Sequence, residues 1–145
     1  MFIKQLSIFV ENKAGRLADI TKVLADNNIN ILALSIADTT DFGILRLIVS
    51  DPDKAYSVLK DSGVMVKATD TVAVSLQDSP GSLSRVLKQI ADANIEIEYM
   101  YDFSNRSNGC DPIIILRLNN QNESLEALKA SGVTVMDSSV IKNFN

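Results

Sequence analysis

The chain has 145 residues, a net charge of −4 and 46% hydrophobic residues, with no histidine, no tryptophan and one cysteine, Cys110. That length suits one ordinary domain or two small ones, and the absence of a basic stripe argues against nucleic acid or an anionic membrane as partner. Without histidine there is no imidazole acid–base chemistry, no Ser-His or Cys-His nucleophile pair and almost no zinc chemistry, and a lone cysteine forms no intrachain disulfide. No apolar run approaches the ~20 residues that span a bilayer. Met1 to Leu6 enters alternation directly, with no signal peptide, so the expected compartment is the cytosol. No catalytic residue, metal site or cofactor is expected.

Leu6, Ile8 and Val10 alternate with polar or outward positions and read as a strand. Gly15 opens a helix in which Leu17, Ile20 and Leu24 recur at helical spacing, ending at Asn27-Asn28. Residues 29–37 read as a second strand, Asp38 to Gly43 as a turn, and Ile44 to Val49 as the returning strand. Pro52 suits the first turn of a helix running to about Lys60, and Ser62-Gly63 stops it. Val64, Val66 and Ala68 alternate in a closing strand.

The same order then repeats. Val72, Val74 and Leu76 form a strand, Leu83, Val86, Leu87 and Ile90 face one side of a helix, and Ile95–Phe103 and Pro112–Leu118 are strands. Leu125 and Leu128 mark the next helix, Ser131-Gly132 its stop, and Val133 to Ile141 the last strand. Residues 15–31 align without a gap against 81–97, sharing Gly, Leu, Lys, Ala-Asp, Asn-Ile and a closing Ile in register. Residues 59–64 match 128–133 in the same way. The chain is therefore two copies of one unit, residues 1–70 and 71–145, with almost no linker between them. A βαββαβ unit folds as the ferredoxin-like plait: α+β, an antiparallel sheet with both helices on one face. That plait hosts many functions and decides none by itself.

The first strand of the second copy ends in Asp78-Ser79-Pro80-Gly81-Ser82-Leu83, and after the helix comes Ala91-Asp92-Ala93-Asn94-Ile95-Glu96-Ile97. This resembles the ACT domain, a regulatory module of amino-acid metabolism. The first copy, Glu11-Asn12-Lys13-Ala14-Gly15-Arg16-Leu17 with Asn28-Ile29-Asn30-Ile31, is similar but has Ala14 where the family usually has Pro. The resemblance spans essentially the whole chain. It implies two ACT units packed side by side, with an amino-acid effector held between the first loop of one unit and the second strand of its neighbour.

Backbone N–H groups at a glycine-led helix start, together with the helix dipole, suit a carboxylate. Gly15, Arg16 and Leu17, and Gly81, Ser82 and Leu83, are thus the expected anion cradles, with Lys13, Ala14, Ser79 and Pro80 shaping the loops. Asn12 and Asp78, at equivalent positions, would take the ammonium group. Asn30 and Glu96 are equivalent on the second strands, and their unlike charge makes the two sites unequal. The plainer readings are structural: Ser79-Pro80 as a helix cap followed by Pro at the first helical position, Asn28 and Asn94 as helix ends, Arg16 as a solvated charge, and Tyr99, Tyr101 and Phe103 as core. Cys110, in a polar hairpin, reads as an incidental exposed thiol.

Leu32, Leu34 and Ile36 are apolar on a face that an antiparallel sheet would leave polar, so a homodimer through this face, or a partner protein on it, is expected. The expected function is a non-catalytic amino-acid-binding regulator. The alternative is a regulatory subunit acting on a partner enzyme, as small subunits of acetolactate synthase do, although those carry one ACT unit and a different C-terminal region. An acylphosphatase-like hydrolase is disfavoured, because only Arg16 lies near the place its anion loop would need.

Overall fold

The computed structural model describes residues 2–38, 41–103 and 111–139. Its elements are β1 (Ile3–Glu11), α1 (Arg16–Asp26), β2 (Ile31–Asp38), β3 (Phe42–Val49), α2 (Pro52–Asp61), β4 (Val66–Ser75), α3 (Ser82–Asp92), β5 (Ile97–Asp102), β6 (Ile113–Leu118), α4 (Gln121–Ala130) and β7 (Val135–Met136). This is the βαββαβ order twice over, two ferredoxin-like units. One strand serves both: β1 pairs with residues 66–71 of β4, while β6 and β7 pair with residues 72–75. The junction expected near Asp70 thus falls inside a continuous strand. The sheet order is β2-β3-β1-β4-β6-β5, with β7 on β4. Cys110 and Ile141 lie outside the described residues.

Alternation builds three apolar layers. On one face of the first sheet, Leu6, Ile8, Leu45, Leu47 and Val49 meet Ile20 and Leu24 of α1 and Ala55 and Leu59 of α2. The second unit repeats this with Val72, Val74, Leu116 and Leu118 against Ile90, Leu125 and Leu128. The third layer lies between the sheets, where Ile3, Leu32, Ala33 and Ile48 pack on Ala73, Phe103, Ile113 and Ile115. The sheet curls about β4, so the faces turned away from the helices close on each other.

The recurring Asn-Ile and Gly-Val pairs are helix stops. Asn28 and Asn94 both have φ 58°, Gly63 has 79° and Gly132 has 87°. After α1 the Ile29 N–H reaches back to Leu24 O at 2.9 Å, and after α3 the Ile95 N–H reaches Ile90 O at 3.1 Å. These are Schellman-type closures that satisfy carbonyls the helix leaves open. Asn tolerates the left-handed region better than other side-chain-bearing residues, which explains its recurrence.

The expected partner-facing stripe is split by a bulge. Between Ile31 and Ala33 the β2–β3 register slips by one, and β5 slips at the equivalent place, between Ile97 and Tyr99. A single extra residue reverses every later side chain. Leu32 and Ala33 are therefore both buried between the sheets, at 1% exposure each. Leu34 and Ile36, opposite Leu47 and Leu45, turn to the helix side and are half exposed. The three residues do not form one apolar face, and what covers Leu32 is the chain's own second unit.

Candidate functional site

Helices α1 and α3 begin alike. Gly15 (φ 88°) and Gly81 (φ 85°) sit left-handed just before the first helical residue, and neither helix has a side-chain cap. By contrast, Asp51 caps α2 by accepting from the Lys54 N–H at 3.2 Å. Ser79 is therefore not the cap of α3, and Pro80 precedes the helix instead of opening it. At both starts no side chain caps the first-turn N–H groups, those of Leu17 and Ala18 and of Leu83 and Ser84, which are donors of the kind an anion accepts from.

The two starts differ in what stands over them. Nothing lies within 4 Å of where a Cβ on Gly15 would be, whereas at Gly81 the Arg85 guanidinium is 3.2 Å away. Arg85 is held there by donating to Ser79 Oγ at 3.4 Å. Asp19 occupies the position of Arg85 in the first copy, so no guanidinium reaches Gly15 from that site. Ser82, nearly buried, donates its hydroxyl to Gln77 O at 2.6 Å, and Leu83 packs into the second core. Asp78, Ser79 and Pro80 are exposed.

In the first loop the Asn12 N–H donates to Asp41 O at 3.1 Å, and its side-chain oxygen is 3.7 Å from the position of a Cβ on Gly43. Lys13 Nζ lies 3.0 Å and Arg16 Nη2 3.8 Å from the Glu11 carboxylate. The Lys13 hydrogen bond and charge, with Arg16 behind, hold the Glu11 carboxyl below its ordinary range. Lys13 and Arg16 thus stand on one carboxylate beside the helix start, with Asp19 in the first turn of α1. Ala14 is exposed in the turn, and Leu17 remains 42% exposed.

A cavity of about 250 Å³ joins these residues, lined by Val10, Glu11, Asn12, Lys13, Leu17, Ile36, Gly43 and Leu45. Of this lining, Asn12, Lys13 and Leu17 were named from the loop motif. Val10, Ile36, Gly43 and Leu45 were not, because only the hairpin register carries them to the loop. A wider groove of about 730 Å³, between α1 and the Ser62–Met65 turn, contains neither Asn12, Lys13 nor Leu17.

Asn30 and Glu96 lie elsewhere. The Asn30 N–H donates to Ser50 Oγ at 2.9 Å, and its carbonyl accepts from the Ser50 N–H at 2.9 Å. Along β3 the partner of Glu11 is Phe42 and that of Ile31 is Val49, seven residues or roughly 23 Å apart. Glu96 accepts from the Asn119 amide at 3.1 Å, close to the junction with the first unit. Both loops are at sheet ends remote from the junction, so the expected site between a loop of one unit and the second-strand start of the other is not assembled within the chain. Each loop instead meets its own unit.

Among the described residues there is no group of His, Cys, Asp or Glu that could hold a metal ion, and no helix long and apolar enough to cross a membrane.

A family model for an ACT domain pair matches residues 1–142. Among solved structures, the protein BT0572 from Bacteroides thetaiotaomicron is 47% identical, covering 97% of this chain and 96% of that one, with a TM-score of 0.88. The regulatory subunit of aspartate kinase from Thermus thermophilus, in ligand-free form, shares the fold at 14% identity, covering 88% of this chain and 91% of that one, with a TM-score of 0.60. The corresponding subunit from Thermus flavus has a TM-score of 0.57 at 14% identity, over 89% and 92% of the two chains. No curated protein matches. The doubled glycine-led helix starts, the βαββαβ order and the match over nearly the whole length agree: the chain belongs to the ACT family and carries the domain as a pair.

Proposed function

We propose that the chain is a non-catalytic, cytoplasmic regulator of amino-acid metabolism that binds a free amino acid at the first loop of its N-terminal unit. The observation that carries this reading is the unobstructed helix start at Gly15, opening beside a cavity of about 250 Å³. The carboxylate meets the N–H groups of Leu17 and Ala18 under the positive charge of Lys13 and Arg16. The ammonium group meets the Asn12 side-chain oxygen. Val10, Leu17, Ile36 and Leu45 leave an apolar space for an aliphatic side chain. The second copy has Asp78 where the first has Asn12 and Arg85 where it has Asp19, so the two starts are chemically unequal, which favours one site per chain.

A thermal-shift screen against the twenty amino acids tests this, since a ligand that binds only the native state raises stability by mass action. An aliphatic amino acid should raise the melting temperature and bind by calorimetry with one site per chain. Two identical sites, or no shift with any amino acid, would overturn it.

A further inference from the structure

The helix start at Gly15 is open in shape but neutral in charge. Glu11, the last residue of β1, puts its carboxylate Oε2 3.0 Å from Lys13 Nζ and 3.8 Å from Arg16 Nη2. Asp19 adds a second carboxylate in the first turn of α1. Two cations and two carboxylates sum to zero, so the turn offers an incoming anion no net positive charge. The paired side chains are 45% exposed for Glu11, 50% for Arg16 and 68% for Lys13, and ion pairs that wet are weak enough to exchange.

The loop does not need these charges to form. In the first copy the Lys13 N–H donates to Glu11 O at 2.8 Å and the Arg16 N–H to Lys13 O at 3.3 Å. In the second copy the equivalents of Glu11, Lys13 and Arg16 are Gln77, Ser79 and Ser82, all uncharged. The same two backbone bonds are made there, from the Ser79 N–H to Gln77 O at 2.9 Å and from the Ser82 N–H to Ser79 O at 3.3 Å. The backbone thus makes the turn without an ion pair, which leaves the charged triad of the first copy without a structural task. Glu11 also lines both hollows beside the helix start, the cavity of about 250 Å³ and the groove of about 730 Å³.

We propose that Glu11 is a built-in competitor for the amino-acid site: its carboxylate holds Lys13 and Arg16 in the unliganded chain, and binding exchanges it for the carboxylate of the amino acid. The inference rests on the reading of the Gly15 start as that site. The displaced Glu11 side chain, already half exposed, passes to water. The ligand gains two charge contacts while the protein loses two, so the exchange cancels most of the attraction the cations would otherwise lend. Glu11 thereby sets the concentration at which the site fills, and an uncharged residue in its place leaves both cations to the ligand.

Calorimetry on the full chain and on Glu11→Gln, with valine, leucine and isoleucine and with their primary amides, tests it. The substitution installs the second copy's residue in a turn whose backbone bonds do not use the side chain, so the circular dichroism spectrum should be unchanged. The variant should bind the amino acid that the wild type binds about three- to tenfold more tightly at low salt. The gain should shrink as sodium chloride rises to about 0.5 M, where exposed charges are screened. The matching amide, which carries no carboxylate, should gain nothing. Equal or weaker binding of the amino acid by Glu11→Gln, the result if Glu11 instead receives the ammonium group, overturns the inference and leaves the site reading standing. So does an equal gain for the amide. Binding of none of the three amino acids to either protein overturns the site reading and this inference together.

Discussion

The Tyr101 hydroxyl donates to Gln5 Oε1 at 2.7 Å, joining β5 of the second unit to β1 of the first. Gln5 is fully buried, and its amide donates in turn to Tyr99 OH at 2.8 Å and to Ser7 Oγ at 3.0 Å. Arg46 covers the other side of this tie, with its guanidinium carbon 3.7 Å from the Tyr99 ring centre. A buried amide is costly unless its hydrogen bonds are made, and here both its oxygen and its nitrogen are served by the opposite unit. The tie fixes how the two faces meet, because a lateral slip would break several of these bonds together.

Tyr101→Phe should therefore cost about 1–3 kcal/mol, the penalty of leaving Gln5 Oε1 buried and unpaired. Gln5→Leu combined with Tyr101→Phe should cost less than the sum of the two single changes, since the double variant leaves fewer polar groups stranded. Urea unfolding of the three variants measures this, and strict additivity would contradict it.

The same tyrosine predicts an alkaline limit. Burial, with Tyr99 beside it, pushes the Tyr101 hydroxyl above its ordinary value of 10.0, against a lowering by Arg46. Above that pH the unfolded chain releases the proton and the folded chain keeps it, so the unfolded state binds fewer protons and stability falls as pH rises. Below it both states are protonated and the effect vanishes. Stability measured across pH 9 to about 11.5 should fall in the wild type and fall less in Tyr101→Phe.

The bulge in β2 separates neighbours that a plain alternation would equate. Leu32→Ala should cost about 2–5 kcal/mol, because Leu32 is sealed between the sheets. Leu34→Ala, two residues on and half exposed, should change stability by no more than about 0.5 kcal/mol. Equal losses in denaturant titration would refute the assigned faces.

At the candidate site, Gly43 separates shape from folding. A Cβ there would sit at ordinary contact distances, 3.5 Å from Ala37 O and 3.7 Å from Asn12 Oδ1. Gly43→Ala should therefore fold and still bind, whereas Gly43→Leu should fill the cavity and lower amino-acid affinity by about tenfold or more. Calorimetry with the ligand found in the thermal screen decides this. Unchanged affinity in Gly43→Leu would move the ligand elsewhere.

A helix-stop prediction rests on backbone alone. Gly63 stands at φ 79° with nothing within 4 Å of an added Cβ, so Gly63→Ala meets only the left-handed strain and should cost about 1–2 kcal/mol. Asn28→Gly, at φ 58°, should be neutral or slightly stabilising in the same thermal melt.

What the amino-acid order determined by itself was local or repeated. It determined the duplication, the four helices with their Asn and Gly stops, the glycine-led starts at Gly15 and Gly81, and the plait that follows from the order of elements. Each depends on residues within about one turn of one another, or on copying the same stretch twice. Only the tertiary structure decided that one strand, β4, belongs to both units, that Leu32 faces its own chain while Leu34 and Ile36 face away, and that Asn30 and Glu96 sit far from the loops they were expected to join. These are matters of register, set by pairing between strands distant in sequence, where one bulged residue reverses every side chain after it. The cradle at Gly15 was visible in the letters; that it is open, while its twin at Gly81 lies under Arg85, came from where the folded backbone carries that side chain.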